Sequence, residues 1–376
     1  MKSFLTHFTE VVSASFGADY SDNCDELRFG KMPALPHLSL APKALFFRWL
    51  KGKGCENVCH SRNIIESAMD FVSPHLSRLE HLYTCLVDEE SRQWLAQLMA
   101  YRALGYRRVK LSLNTPSYWK GRQDYQRLAS RTDTMDSAFR DLKLHRLDLQ
   151  PINIPVSLYA SPEGAHILFT LEQYRCSCST GDIAVVPGDI VMDCGGCWGD
   201  TALYFANRAG TSGRVFTFEF LSANLRIMRK NLELNPDLAK RVEIVERAVS
   251  ETSGCTMGYT DNGPGTCLTN PAAPQNTAKT TTISIDDLVT EKRLPRVDFI
   301  KMDIEGSELS SLRGSEQALR QFHPKLAISV YHRLEDFFEI PDYLESLNLN
   351  YRFYLRHFTI FSEETVLFAT SEPASK

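Results

Sequence analysis

The residues best suited to chemistry in this chain are acids, and one histidine, placed where apolar runs end. Ile190-Val-Met192 reads as the end of a buried strand and passes through Asp193 into Cys194-Gly195-Gly196-Cys197-Trp198-Gly199-Asp200. The glycine pair demands a tight turn. Asp200 to Arg208 then reads as a helix whose first turn carries an acid. Strand, glycine turn and helix let a ligand lie against main-chain N–H groups at a positive helix end. A second run, Arg214 to Phe218, ends in Glu219, at about the 20-residue spacing where an acid accepts hydrogen bonds from two ribose hydroxyls. Acids on both sides of the turn would repel a pyrophosphate, but they suit a cofactor carrying a sulfonium and an ammonium, as S-adenosylmethionine does. An NAD-dependent dehydrogenase would instead ask for G-x-G-x-x-G, and that spacing is missing. A non-catalytic, nucleotide-cofactor-binding module of Rossmann-like fold is the other rival. Such a module need not keep the acids, yet Asp193, Glu219, Asp303 and Glu305 are all present.

The second constellation is Lys301-Met-Asp303-Ile-Glu305-Gly306-Ser-Glu308, followed further on by Tyr331-His332-Arg333. In an open α/β sheet the carboxyl ends of the strands line the ligand crevice, so Asp303, Glu305 and His332 belong near the glycine turn. The plainer reading makes Lys301 and Glu305 a structural ion pair and His332 a helix cap. The sharper one makes His332 a general base, by virtue of its near-neutral intrinsic pKa, with Glu305 or Asp303 orienting it. A divalent cation held by Asp303 and Glu305, lowering the pKa of an acceptor hydroxyl, is the open alternative. The cysteines offer less. Cys194 and Cys197 match a redox spacing, while Cys55, Cys59 and His60, or Cys176 and Cys178, invite a zinc reading, but no second pair completes either pattern.

These residues need a scaffold, and the chain supplies one by alternation. After Asp200 come strands at 215–218, 242–245, 297–303 and 325–331, with helices through Asn224, Met228 and Leu232, over 309–322, and near 343–347. Two last strands, 351–358 and 365–369, are close enough to pair antiparallel. Alternation implies right-handed crossovers and a parallel sheet. Upstream, 1–150 reads as mainly helical, with the clearest helix over Ser91–Gly105 and a polar, aromatic loop around Ser117-Tyr118-Trp119. That loop is a candidate wall over the substrate. Residues 154–159 and 166–171, joined by Ser161-Pro-Glu-Gly164, read as a β-hairpin. The expected division is therefore 1–150 as a helical region and substrate cap, 151–184 as a hairpin connector, and 185–376 as the cofactor domain.

Asp193-Cys-Gly-Gly-Cys-Trp-Gly-Asp-Thr-Ala-Leu203, Phe218-Glu-Phe220, Asn231-Leu-Glu-Leu-Asn235, Phe299-Ile-Lys-Met-Asp-Ile-Glu-Gly-Ser-Glu308 and Tyr331-His-Arg333 together resemble the FkbM family of S-adenosylmethionine-dependent methyltransferases. The resemblance runs from about 185 to 370, and the Lys-x-Asp-x-Glu-Gly element is its most specific part. One departure is Gly196, where many members carry Ala. The resemblance implies an α/β class I methyltransferase (Rossmann-like) fold, doubly wound, with a seven-stranded sheet whose last strand is antiparallel. It implies methylation of hydroxyl oxygens on sugars, polysaccharide precursors or natural products, and so a small-molecule or glycan-type acceptor. The expected cofactor-binding residues are Asp193, Gly195, Gly196, Gly199, Asp200, Glu219, Ala248 and Asp303. The expected catalytic residues are His332, Glu305 and Asp303, with no metal ligand assigned.

Composition agrees with an ordinary globular protein: 376 residues, 43% hydrophobic and 23% charged. A net charge of −4 gives no electrostatic reason to expect a nucleic-acid partner. No apolar run reaches a membrane span, and the first residues turn polar too soon for a secretory core. A cytoplasmic location is the expectation.

Overall fold

The structure, a computed structural model, describes residues 2–15, 18, 20, 23, 64–139, 141–178, 181–269 and 278–371. Cys55, Cys59 and His60 lie outside them. The chain divides into two compact units, Met1–Trp119 with Phe353–Thr365, and Lys120–Arg352 with Val366–Lys376. Among the described residues no helix is long and apolar enough to cross a membrane.

The first unit is helical, as its periodicity predicts. Ser3 caps Phe4–Ala14 by accepting from the Thr6 amide at 3.1 Å. Pro74 sits in a short 3-10 turn between the helices Ile64–Val72 and Leu76–Cys85. The longest helix, Glu89–Leu104, is capped by Asp88 and stopped by Gly105 at φ +84°, and it buries Trp94, Leu95, Leu98 and Met99. The loop expected at Ser117–Trp119 is instead the start of a helix, Pro116–Leu128. Thr115 accepts from the Tyr118 amide at 3.3 Å, and Pro116 at the first helical position is pre-set for this geometry.

The second unit holds most of a seven-stranded sheet. In chain order its strands are β1 (Ile190–Cys194), β2 (Arg214–Phe218), β3 (Val242–Val245), β4 (Phe299–Met302), β5 (Lys325–Ser329), β6 (Tyr351–His357) and β7 (Thr365–Ser371). Five of the seven residues of β6, from Phe353 on, and Thr365 of β7 belong to the first unit. The spatial order is β6-β7-β5-β4-β1-β2-β3, parallel from β5 to β3, with β7 antiparallel to β5. This is the class I methyltransferase fold. The four central strands β5, β4, β1 and β2 are almost wholly buried, which is why they read as continuous apolar runs. The order reverses at β1, so the crevice beyond the carboxyl ends of β1, β4 and β2 is the ligand position.

Three expectations are corrected here. Residues 129–148 are strands rather than helix: Ala129–Asp136 and Lys143–Asp148 pair antiparallel, and Ser157–Ala160 adds a third. The 151–184 hairpin does not form as read. Its expected turn and most of its second arm form instead a helix, Pro162–Phe169, capped by Ser161, and six of its eight residues are buried. Burial on nearly every side erases the helical period and leaves an apolar run that imitates a strand. The pairing in this stretch is a smaller one, Cys176–Cys178 with Gly181–Ile183. The single helix expected over 309–322 is two, Glu308–Arg313 and Glu316–Phe322. They break at Gly314, where a Cβ would lie 2.4 Å from the Ser250 carbonyl oxygen.

The motif Asn231-Leu-Glu-Leu-Asn235 has a structural task. Asn231 accepts from the Tyr159 amide (2.6 Å) and donates to the carbonyls of Tyr159 (3.0 Å) and Trp198 (2.9 Å), while Asn235 brackets Ser157 in the same way. Two amides, one in the helix Ser222–Glu233 and one just beyond its end, thus fasten the added strand Ser157–Ala160 and, through Trp198, the glycine turn.

Candidate active site

An open cleft lies at the carboxyl ends of the strands. Gly195 and Cys197 enter it from β1, Phe218 to Leu221 and Asn224 from β2, and Arg247 to Val249 from beyond β3. Asp303, Ile304, Glu305 and Ser307 come from beyond β4, and Gly263, Pro264, Thr266 and Leu268 from the segment between β3 and β4.

Of the predicted cofactor residues, Gly195, Glu219, Ala248 and Asp303 line this cleft, and the others stand behind it. Asp193 is fully buried. Its carboxylate accepts from Thr201 Oγ1 and Thr217 Oγ1, both at 2.8 Å, and meets Lys301 Nζ at 3.2 Å. Lys301, 1% exposed, also donates to the carbonyls of Cys194 (3.1 Å) and Gly195 (2.7 Å). The Lys301–Glu305 ion pair of the plainer reading is absent, and Lys301 instead secures the backbone of the turn. The turn amides are engaged as well: those of Gly195 and Gly196 donate to Phe218 O at 3.2 and 2.9 Å. Gly195 is required on two counts, a φ of +86° and a Cβ position 2.0 Å from the Asp303 carbonyl oxygen. Gly196 packs on Thr217, and Gly199 on Met228. Asp200 opens the helix Asp200–Ala209, and burial pushes its carboxyl up to about 6.

Glu219 is 7% exposed. One carboxylate oxygen accepts from the amides of Phe220 (2.6 Å) and Leu221 (2.8 Å), the other from Asn224 Nδ2 (3.0 Å). Burial raises its pKa, against those donors. Asn224 Oδ1, beside it, is buried with no hydrogen-bond partner. A buried acceptor left short of a donor, on the wall of a cleft, fits a ligand that brings hydroxyl or amino hydrogens.

At the other end of the cleft the structure brings Asp303, Glu305 and His332 together, as predicted, and adds Glu308. His332 Nε2 lies 3.3 Å from Asp303 Oδ1 and 3.5 Å from Glu305 Oε1, and Nδ1 lies 3.0 Å from Glu308 Oε1. Tyr174 and Tyr331 donate their hydroxyls to Asp303 at 3.0 and 3.1 Å. Glu305 sits at φ +57° and Gly306 at φ +93°, a sharp turn between β4 and the helix that Glu308 begins. Burial lowers the pKa of His332, but the charges of Glu308 and Glu305 outweigh it and hold the imidazole well above its ordinary value. A ring kept protonated donates rather than accepts. The resting general base expected at His332 is therefore not what its neighbours favour. The cysteines within the described residues are all free, Cys194 and Cys197 included, and burial raises both thiols, against a redox role.

Residues 191–353 match the family described as the methyltransferase FkbM domain. Over those residues the chain is similar to FkbM methyltransferase domains. Among solved structures it is similar to methyltransferase FkbM from Methylobacillus flagellatus, at 20% identity and a TM-score of 0.50, covering 81% of this chain and 60% of that one. The chain thus spans 60% of that protein's length, less than two thirds. Looser likenesses include an O-methyltransferase from Bacillus cereus in complex with SAH (14% identity, 67% of this chain and 91% of that one, TM-score 0.35). Another is Aeropyrum pernix fibrillarin with natively bound S-adenosyl-L-methionine (12%, 49% and 67%, TM-score 0.33). No curated protein sequence matches the chain.

The residues that sequence reasoning missed are Asn224, Arg247, the 263–268 segment and Glu308. Asn224 lies in the first turn of the helix that follows Glu219, and Glu308 opens the helix that follows Glu305, so the polar residues at those two helix starts were the available signal. The 263–268 segment left no such signal.

Proposed function

We propose that this protein is an S-adenosylmethionine-dependent methyltransferase acting on a hydroxyl oxygen of a small-molecule or glycan-type acceptor, a sugar, polysaccharide precursor or natural product. The observation that carries the reading is the cleft itself. At one end it presents Glu219 with the unpartnered Asn224 Oδ1, and at the other Asp303 and Glu305, on a fold whose family domain is that of methyltransferases. S-adenosylmethionine would be held by Glu219, Ala248 and the Gly195 backbone, and it supplies an electrophilic methyl group on a sulfonium.

This chain's residues contribute positioning first. Glu219 is itself fixed by three donors, so it offers its remaining lone pairs without reorganising. Gly195 lets the backbone of β1 and the Asp303 carbonyl come close, fixing the distance between the two ends of the cleft. Alignment of this kind supplies roughly 7–11 kcal/mol of a bimolecular barrier. Asp303 and Glu305 face the acceptor end, where carboxylates can orient a hydroxyl and receive its hydrogen bond. An Asn-Pro-Pro-Tyr element, which would point to an amide or amine acceptor, does not follow β4, and this favours oxygen.

The test is to purify the protein, release its small molecules with acid and identify them by mass spectrometry, then to supply S-adenosylmethionine with a panel of hydroxyl-bearing sugars. Co-purified S-adenosylmethionine or S-adenosylhomocysteine and an O-methylated product are expected. Recovery of a nicotinamide cofactor, or methylation at nitrogen, would overturn the reading.

A further inference from the structure

We propose that Asp303, Glu305 and His332 bind one divalent first-row cation, with Glu308 as the carboxylate that orients the imidazole. His332 is nearly enclosed, its side chain 7% exposed, and Nε2 faces Asp303 Oδ1 at 3.3 Å and Glu305 Oε1 at 3.5 Å. Donor atoms that share an ion at about 2.1 Å sit on the order of 3.0–3.4 Å from one another in octahedral or tetrahedral array. His332 Nε2 stands at about that spacing from one oxygen of each carboxylate.

Two further observations point to a ligand. Both ring nitrogens of His332 are buried and neither makes a well-formed hydrogen bond, although carboxylate oxygens stand 3.0–3.5 Å away; a cation at Nε2 would take the place of the proton that those carboxylates favour there. Glu308 is fully buried, and its Oε2 has no hydrogen-bond partner. Atoms on Asp303, Glu308 and His332 lie within 4.8 Å of one another, but Glu308 is better placed behind the ring than at an ion beside Asp303 and Glu305. Its Oε1 accepts from the Ile304 amide at 2.9 Å and faces Nδ1 at 3.0 Å, on the far side of the imidazole from Nε2. A carboxylate on the second nitrogen fixes the tautomer and strengthens the first as a ligand.

Charge gives the same answer. Three carboxylates share one imidazole here, while Lys301, on the same strand, is paired with Asp193. Two carboxylate oxygens and one imidazole nitrogen suit Mn²⁺ and its neighbours in the series better than a soft, thiolate-seeking ion. Asp303 and Glu305 also line the cleft, so the remaining coordination positions open toward it. An acceptor hydroxyl bound there would lose its proton more readily. That last role rests on the methyltransferase reading, whereas the binding of the ion does not.

The experiment is a Mn²⁺ titration of the full, chelator-stripped protein, followed by electron paramagnetic resonance. One Mn²⁺ per chain should bind, and electron spin-echo modulation should show the nitrogen of a directly coordinated imidazole. Glu308→Gln should keep that nitrogen signal and weaken binding about 10- to 100-fold. His332→Ala should abolish the signal, and Asp303→Asn should weaken binding. Should a variant fail to fold by circular dichroism, the wild-type nitrogen signal still decides. No bound Mn²⁺ up to millimolar concentration, bound Mn²⁺ without nitrogen, or binding indifferent to Asp303→Asn in a folded variant would each overturn the site. Mn²⁺ bound as described by a protein that retains no adenosyl cofactor would break the methyltransferase reading and leave this one standing.

Discussion

Lys301 and Asp303 stand two residues apart, yet they belong to charge clusters of opposite character. Around Lys301 charge is matched one to one: its ammonium meets Asp193 and two carbonyls, and Asp193 meets two threonine hydroxyls, with neither residue more than 1% exposed. Around His332, three carboxylates crowd one imidazole, and buried atoms on His332 and Glu308 lack well-formed hydrogen bonds. A closed cluster holds a shape, and here the shape is the glycine turn. An open one, at the wall of a cleft, is where a ligand completes the bonding.

The contrast breaks most readily at its closed end. Lys301→Ala leaves Asp193 buried and unpaired, which should cost about 3–5 kcal/mol and appear as a lower urea midpoint. The double variant Asp193→Asn with Lys301→Met removes both charges and keeps an acceptor for Thr201 and Thr217, so it should recover much of that loss. A single variant with a wild-type midpoint would show that the pair does not hold the turn.

Glu219→Ala sharpens the open side. A hydrogen bond to a charged acceptor contributes about 1.5–3 kcal/mol, so cofactor affinity should fall roughly 10- to 150-fold in a protein that stays folded. An unchanged dissociation constant would remove Glu219 from the site.

The smallest effect compares two buried histidines. His332 is held above its ordinary pKa by carboxylates, whereas His357, 3% exposed and bonded to Thr365 Oγ1 at 2.9 Å, is pushed down to about 3 by burial. A histidine depressed in the folded state binds its proton more readily when unfolded. Its contribution is therefore complete above pH 6.5 and is lost as pH falls from there toward 3. At pH 5.5 the loss should be about 1.4 kcal/mol. Urea unfolding at pH 7.5 and 5.5 should show the wild type losing about that much more than His357→Gln, and equal losses would contradict the assignment.

The sheet was legible because its central strands are buried on both faces and their end residues are acids. What misled was local. Pro162–Phe169 is apolar on nearly every side, so no period distinguishes its helix from a strand, although Ser161 and Pro162 carried the capping signal. Ala129–Asp136, largely half-exposed and polar, offered too few apolar residues to alternate. At the site, the grouping of Asp303, Glu305 and His332 followed from strand ends, but Asp193 facing inward did not. Which way a strand-end acid points depends on its partners, Thr201, Thr217 and Lys301, which come from three different elements. The protonation of His332 was hidden for the same reason, since Glu308 reaches it only through the left-handed turn at Glu305 and Gly306.

The central claim is that the cleft between Glu219 and Asp303 takes the methyl donor. Its most direct measurement is calorimetric titration of the purified protein with S-adenosylhomocysteine and, separately, with NAD. The account predicts one-site, micromolar binding of S-adenosylhomocysteine, weakened by Glu219→Ala, and no heat with NAD. Micromolar binding of NAD with none of S-adenosylhomocysteine would contradict it.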